Sequence, residues 1–228
     1  MESKTKEEEI YTFKILILGD PTTGKNEFII RFCDNKFDAN SLKIGLDSKI
    51  KYLKRGDIKI ELHIWDTAGQ ERFKSIAKNS IKGVDGIILM YDISNHYTFN
   101  QINEWIISIN DSIDISKIAI IIVGNKCDLP NSERQVDEKS KKIIETKYNI
   151  KIYEASAKEN INVNECFYAL IDRIIELGLG KKKNYNDEED DNVNERKLKN
   201  EEKKRNKNCV GGRGKRKNIE QFLLINNY

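Results

Sequence analysis

The stretch "FKILILGDPTTGKN", residues 13–26, decides the fold. An apolar run of strand character leads into Gly19, four residues, Gly24 and Lys25, and a helical pattern begins near Asn26. This is the geometry of a phosphate cradle. Successive backbone N–H groups point into the loop, the helix N-terminus adds partial positive charge, and the lysine reaches the outer phosphates. Gly19, Asp20, Pro21, Thr22, Thr23, Gly24, Lys25, Asn26 and Glu27 are therefore candidate nucleotide contacts. Such a loop normally closes with Ser or Thr, whose hydroxyl holds the magnesium that accompanies a nucleoside triphosphate, and here the closing residue is Asn26. Alone, the spacing also arises as a plain strand-to-helix turn.

Outward from this loop, strand-like and helical patterns alternate. Strands are predicted at 13–18, 48–53, 58–65, 86–91, 118–123 and 150–155, several of them unbroken by polar residues, as buried parallel strands are. The run 47–65 holds two strand patterns around "KRGD", a hairpin signal, so one edge strand is expected to be antiparallel. Helices are predicted near 25–34, 96–113 and 137–149. The clearest helix is the last, with Val163, Phe167, Leu170, Ile171, Ile174 and Ile175 on one stripe. Asn162 and Glu165 are spaced as an Asn variant of the capping box, and Gly178 is placed as a stop. The expected fold is α/β: a mostly parallel six-stranded sheet with helices on both faces.

The 228 residues are 38% hydrophobic and 34% charged, more charge than one compact domain needs. The net charge of +3 comes from the segment after Gly178, a polar run too poor in apolar residues to offset chain entropy and hence expected to be disordered. The division expected is an N-terminal extension at 1–10, a domain at 11–178 and a charged tail at 179–228. Acidic blocks interrupt the basic ones there, so no nucleic-acid partner is expected. Cys33, Cys127, Cys166 and Cys209 have no paired spacing, which argues against a disulfide framework or zinc site, and no apolar run approaches the roughly 18 residues of a membrane span. A cytoplasmic location is expected.

Three further stations support the nucleotide reading. In "WDTAGQERF", residues 65–73, Asp66 at a strand end is placed to hold magnesium through water, Gly69 lets its amide approach a γ-phosphate, and Gln70 is positioned to orient an attacking water. In "NKCD", residues 125–128, the Asp128 carboxylate can accept from the N1–H and 2-amino group of guanine. Adenine offers neither, so such a site rejects ATP by about four orders of magnitude. In "EASAK", residues 154–158, the Ala157 amide can bind guanine O6, with Ser156 and Lys158 beside it. All three lie at strand ends on one edge, where ligands of open α/β sheets bind.

With "GIILMYDIS" and "VGNKCDL", these motifs resemble the Ras-like small GTPases, and within them the Rab branch that directs vesicle traffic, over about residues 11–178. The resemblance implies a P-loop, Ras-like G domain that binds GTP or GDP with Mg2+ and hydrolyses GTP, with Lys25 and Gln70 as catalytic residues. It implies that Phe37 lies against the guanine face, that Lys126 flanks the base with Asn125 among the nucleotide contacts, and that residues 38–48 and 68–80 are the two switch segments. Exchange factor, GTPase-activating protein and effectors are the partners it implies, for a monomer that sits on endomembranes peripherally if at all.

The departures cluster at the phosphates. The metal ligands left are Asn26 and Asp66, because Lys43 stands where the family has a magnesium-clasping Thr, with Ser41 as a substitute only in a slipped register. Magnesium is expected to be held weakly and hydrolysis to be slow. Glu27 reads as a favourable charge at the helix start pointing to solvent. Thr22 replaces a family Gly, and if that position needs a positive φ the loop is strained. Ser48, Trp65 and Ser80 keep one of the three aromatics of the family's effector face, and no prenylation motif is readable near the C-terminus. The alternative is a pseudo-GTPase that binds GDP, or no nucleotide, and sequesters an exchange factor or other partner.

Overall fold

The structure, a computed structural model, describes residues 10–37, 48–66, 81 and 83–182. In chain order the elements are β1 (Ile10–Gly19), α1 (Lys25–Asp34), β2 (Ser48–Arg55), β3 (Ile58–Asp66), β4 (Gly86–Asp92), α2 (His96–Asn110), β5 (Ala119–Asn125), α3 (Glu138–Tyr148), β6 (Ile152–Ala155), α4 (Val163–Glu176) and β7 (Lys181–Lys182). The strand order is β2-β3-β1-β4-β5-β6. All neighbours on this path are parallel except β2 and β3, which form the hairpin expected at "KRGD", with Gly56 at φ 59° in the tight turn.

Side-chain alternation along β1 sets the two faces of the sheet. Phe13, Ile15 and Ile17 join one core with Phe28, Ile29 and Phe32 of α1 and Phe167, Leu170, Ile171 and Ile174 of α4. Leu16 and Leu18 face the other, with Phe99, Ile102, Trp105 and Ile106 of α2 and Ile144 of α3. The central strands β4 and β5 are buried along their whole length, which is why their sequences are apolar without alternation.

Two sequence expectations change. The sheet of the described residues has seven strands rather than six, because the fold continues past Gly178: β7 pairs antiparallel with Tyr11 and Thr12 where β1 extends beyond the start of β4. Gly178 does stop α4. Its N–H bonds the Ile175 carbonyl and the Leu179 N–H bonds that of Ile174, both at 3.0 Å, which closes the helix and turns the chain back. Gly180 then crosses Phe13 so closely that a Cβ would lie 2.3 Å from the ring, and its N–H bonds Asp85. The second change is at the start of α4. Asn162 takes φ 54° and makes no capping bond; its amide instead donates to the Glu154 carbonyl at 2.9 Å. A left-handed backbone swings the side chain away from the helix amides, so the capping box does not form.

Candidate functional site

The parallel strands β1, β3, β4, β5 and β6 end at Gly19, Asp66, Asp92, Asn125 and Ala155, and their register brings these ends to one edge of the sheet: Ile17 is opposite Asp66, Gly19 opposite Met90, and Asn125 opposite both Asp92 and Ala155. The loop after β1 is tight. A Cβ on Gly19 would lie 2.3 Å from the Met90 carbonyl oxygen, and one on Gly24 would lie 2.4 Å from Asn125 Nδ2. Lys25, 7% exposed, folds across the loop and donates to the carbonyls of Gly19 at 2.8 Å and Asp20 at 3.0 Å. The buried Thr23 hydroxyl donates to the same Asp20 carbonyl at 2.9 Å. Pro21 and Thr22 form the exposed tip, and Thr22 holds φ 71°. The conditional expectation of strain therefore applies: a β-branched residue occupies the left-handed region.

Helix α1 begins at Gly24 with no side-chain cap, whereas Asn95 caps α2 and Asp137 caps α3. Glu27 departs from the solvent-facing orientation expected of it. It is half-buried, with Oε2 4.0 Å from the Cβ position of Gly24, so it leans over the loop. The partial positive charge of the uncapped turn attracts a carboxylate there.

At the other end, Asn125 is the keystone. Its Nδ2 donates to the Thr23 carbonyl at 2.9 Å, and its Oδ1 accepts from the Ala157 amide at 3.1 Å, so one side chain joins the glycine loop to the loop after β6. The Ala157 amide, expected to meet guanine O6, is thus already engaged. Asp128, its side chain 11% exposed, accepts the Ser156 hydroxyl at Oδ1 at 2.6 Å, and its Oδ2 lies 3.8 Å from Lys158 Nζ. Lys126, at φ 71°, donates to Oδ2 of the buried Asp92 at 2.6 Å, and Asp92 Oδ1 accepts the amide and hydroxyl of Ser94. Phe37 stands 36% exposed at the end of the segment after α1. Gly69, Gln70, Ser41, Lys43 and Ser80 lie outside the described residues. Ser48 pairs opposite Trp65, and the neighbouring strand positions Ile50 and Tyr52 are exposed.

The residues expected to hold magnesium pass a chemical test. Asn26 Oδ1 is buried and has no hydrogen-bond partner among the described residues, an acceptor oxygen of the hard type this cation takes. Asp66 stands at the end of β3 on the same edge. No cluster of three or more His, Cys, Asp or Glu side chains exists among the described residues.

Comparison with known proteins decides the identity. The Ras family profile matches residues 14–176. Ras-related protein Rab-3 of Caenorhabditis elegans is 40% identical over 165 residues, covering 72% of this chain and 74% of that protein. Human Rab-3A is 40% identical over 167 residues, 73% and 75% of the two chains, and Rab-8A of Bos taurus 42% over 175 residues, 75% and 82%. The chain belongs to the Ras family, in its Rab branch. It is a Rab-like small GTPase of vesicle traffic, and its activity is the hydrolysis of GTP. Ras-family GTPases in general bind a guanine nucleotide and Mg2+, and membership of the Rab branch implies regulators and effectors in general. No described helix is long and apolar enough to cross a membrane.

Several residues that shape this Rab-like site were not legible in the sequence. Trp105 of α2 donates its indole N–H to Asp20 Oδ1 at 2.9 Å. Asp92 neutralises Lys126. Arg31 of α1 reaches the Ala157 and Lys158 carbonyls. Only Asp92, a carboxylate ending an apolar strand, carried a local signal.

Proposed function

We propose that this Rab-like GTPase holds guanine nucleotide through Asp128, Ser156, Ala157, Lys158, Asn125 and Lys126 at the base, Phe37 against the ring, and Gly19 to Glu27 around the phosphates. The observation that carries the reading is the bridge from Thr23 through Asn125 to Ala157, which joins a phosphate loop and a base loop in one rigid cleft. Mg2+ is held weakly, through Asn26 and Asp66, and would supply charge neutralisation at the outer phosphates. The longer Asn side chain displaces the ligand, and magnesium tolerates little departure from octahedral geometry. Lys25 stabilises developing charge, Gln70 orients the attacking water with the Gly69 amide beside it, and hydrolysis is slow without a helper protein. The chain acts as a monomer, with exchange factor, activating protein and effectors as partners, no nucleic acid, and a cytoplasmic or peripheral endomembrane location. Glu27, leaning over the loop, competes with phosphate for the helix amides.

The test is the nucleotide carried by the purified chain, followed by GTP and GDP affinities with and without magnesium and by single-turnover hydrolysis. The reading expects bound guanine nucleotide and slow hydrolysis that Gln70→Leu abolishes. Asn26→Ser with Lys43→Thr should improve magnesium-dependent GTP binding over GDP binding by about 1–3 kcal/mol. If no guanine nucleotide binds, the base-site assignment fails. If the wild type already prefers GTP with magnesium and the double variant gains nothing, Asn26 is a full substitute for the hydroxyl.

A further inference from the structure

Arg31 lies in the last turn of α1, and its guanidinium faces three ways. Nε donates to the Ala157 carbonyl at 2.8 Å and Nη2 to the Lys158 carbonyl at 2.9 Å. Nη1 reaches back to the Asn35 carbonyl at 3.2 Å and its side-chain oxygen at 3.4 Å, and Asn160 Nδ2 meets that same oxygen at 3.3 Å. The guanidinium carbon is 5.9 Å from the centroid of the Phe37 ring. Closing the end of its own helix explains the Asn35 bonds. It does not explain the two carbonyls more than a hundred positions away. A planar fork of N–H donors in fixed directions suits carbonyls that converge from separate segments, which an ammonium does less well.

We propose that Arg31 is a positioning residue for guanine recognition, bracing the base loop at 156–158 against α1 and linking it to the turn that carries Phe37. The inference rests on the guanine-nucleotide reading above. Fixing the carbonyls of Ala157 and Lys158 fixes their peptide planes, and with them the Ser156 hydroxyl on Asp128 and the Ala157 amide on Asn125. Without the fork, the described backbone contacts that steady Ser156 itself are its bonds with Ile161. The grip of Asp128 on the guanine 2-amino group then slackens, while the phosphate loop keeps its own bonds to Lys25 and Thr23.

The experiment measures GDP, GTP and inosine diphosphate affinities for the full chain, its Arg31→Met variant and its Arg31→Lys variant. Hypoxanthine lacks the 2-amino group, so the ratio of GDP to inosine diphosphate affinity reports on Asp128 alone. Arg31→Met keeps the aliphatic stem and removes the donors; it should weaken GDP on the order of 10-fold to 100-fold and pull that ratio toward one, with the GTP to GDP ratio unchanged. Arg31→Lys should fall between. A merely structural role would weaken all three nucleotides alike and leave the first ratio at its wild-type value, which overturns the proposal. Should the wild type bind no GDP, the guanine reading falls separately, and amide hydrogen exchange on the nucleotide-free chain still decides the bracing. Arg31→Met should speed exchange at the Ser156 amide and leave Phe28 protected; an unchanged Ser156 amide overturns it.

Discussion

The Ser156 hydroxyl donates to Asp128 Oδ1 at 2.6 Å, so the carboxylate proposed to read guanine is oriented by a side chain from the next strand's loop. A hydrogen bond to a charged group is worth about 1.5–3 kcal/mol, and part of that would be felt as a wandering Asp128. Ser156→Ala is expected to weaken GDP roughly 10-fold by titration and, because the buried hydroxyl also accepts from the Glu159 amide, to lower the melting temperature as well. Asp128→Asn should shift preference toward xanthine nucleotides, whose C2 oxygen accepts from an amide. Unchanged guanine affinity in both variants would remove Asp128 from the base site.

Thr22 holds φ 71° at the tip of the phosphate loop. A left-handed conformation costs an L-residue about 1–2 kcal/mol, and glycine returns less than that in unfolded-chain entropy. Thr22→Gly should therefore stabilise the fold, by about 0.5–1 kcal/mol, read as a rise in melting temperature of about 2–4 °C per kcal/mol. A fall would show that the Thr22 side chain makes contacts that outweigh the strain.

Tyr91 is fully buried, and its hydroxyl has no hydrogen-bond partner among the described residues. Burial drives its titration well above the ordinary tyrosine range, with the charges of Glu154 and Glu138 adding to the effect. The ring fits because Gly124 faces it: a Cβ there would lie 2.6 Å from the ring. Tyr91→Phe removes an unsatisfied polar group without opening a cavity and is expected to leave stability equal or raise it by up to about 1 kcal/mol in denaturant unfolding. A clear loss would reveal a buried water or other partner on the hydroxyl.

Glu154 opens the "EASAK" loop and bonds both Arg134 and Lys141. Burial works against its ionisation, but the hydrogen bonds and charges of those two cations outweigh it and hold the carboxyl below its usual range. A folded-state value below the unfolded one means stability that is present above the unfolded carboxylate range and is lost as pH falls through the folded value. The stability difference between wild type and Glu154→Gln should accordingly be largest near neutral pH and shrink on acidification. A difference that does not vary with pH would show that the two cations are not holding the ionised form.

The stations of the site were legible because each is local. A strand run into spaced glycines, a carboxylate after "IKIELHIW" and the "NKCD" and "EASAK" turns each carry their chemistry in a few consecutive letters, and backbone geometry carries them to the strand ends. Thr22 was legible for the same reason: the demand for a positive φ belongs to the loop itself. Asn162 misled because its spacing to Glu165 matched a cap while its backbone sits left-handed, a conformation set by the bridge between Ser156 and Ile161 and the bond to Glu154.

The sequence by itself determined the alternating α/β order, the two faces of the sheet and the edge where the loops gather, since hydrophobic period and glycine spacing act over a few residues. Only the tertiary structure decided which side chains hold those loops together. Arg31 on Ala157, Trp105 on Asp20, Lys126 on Asp92 and Asn125 across Thr23 and Ala157 are bonds between segments 32 to 126 positions apart. A long polar side chain has many rotamers and leaves no periodic trace, so its partner exists only once packing of the apolar core has brought the two backbones within reach.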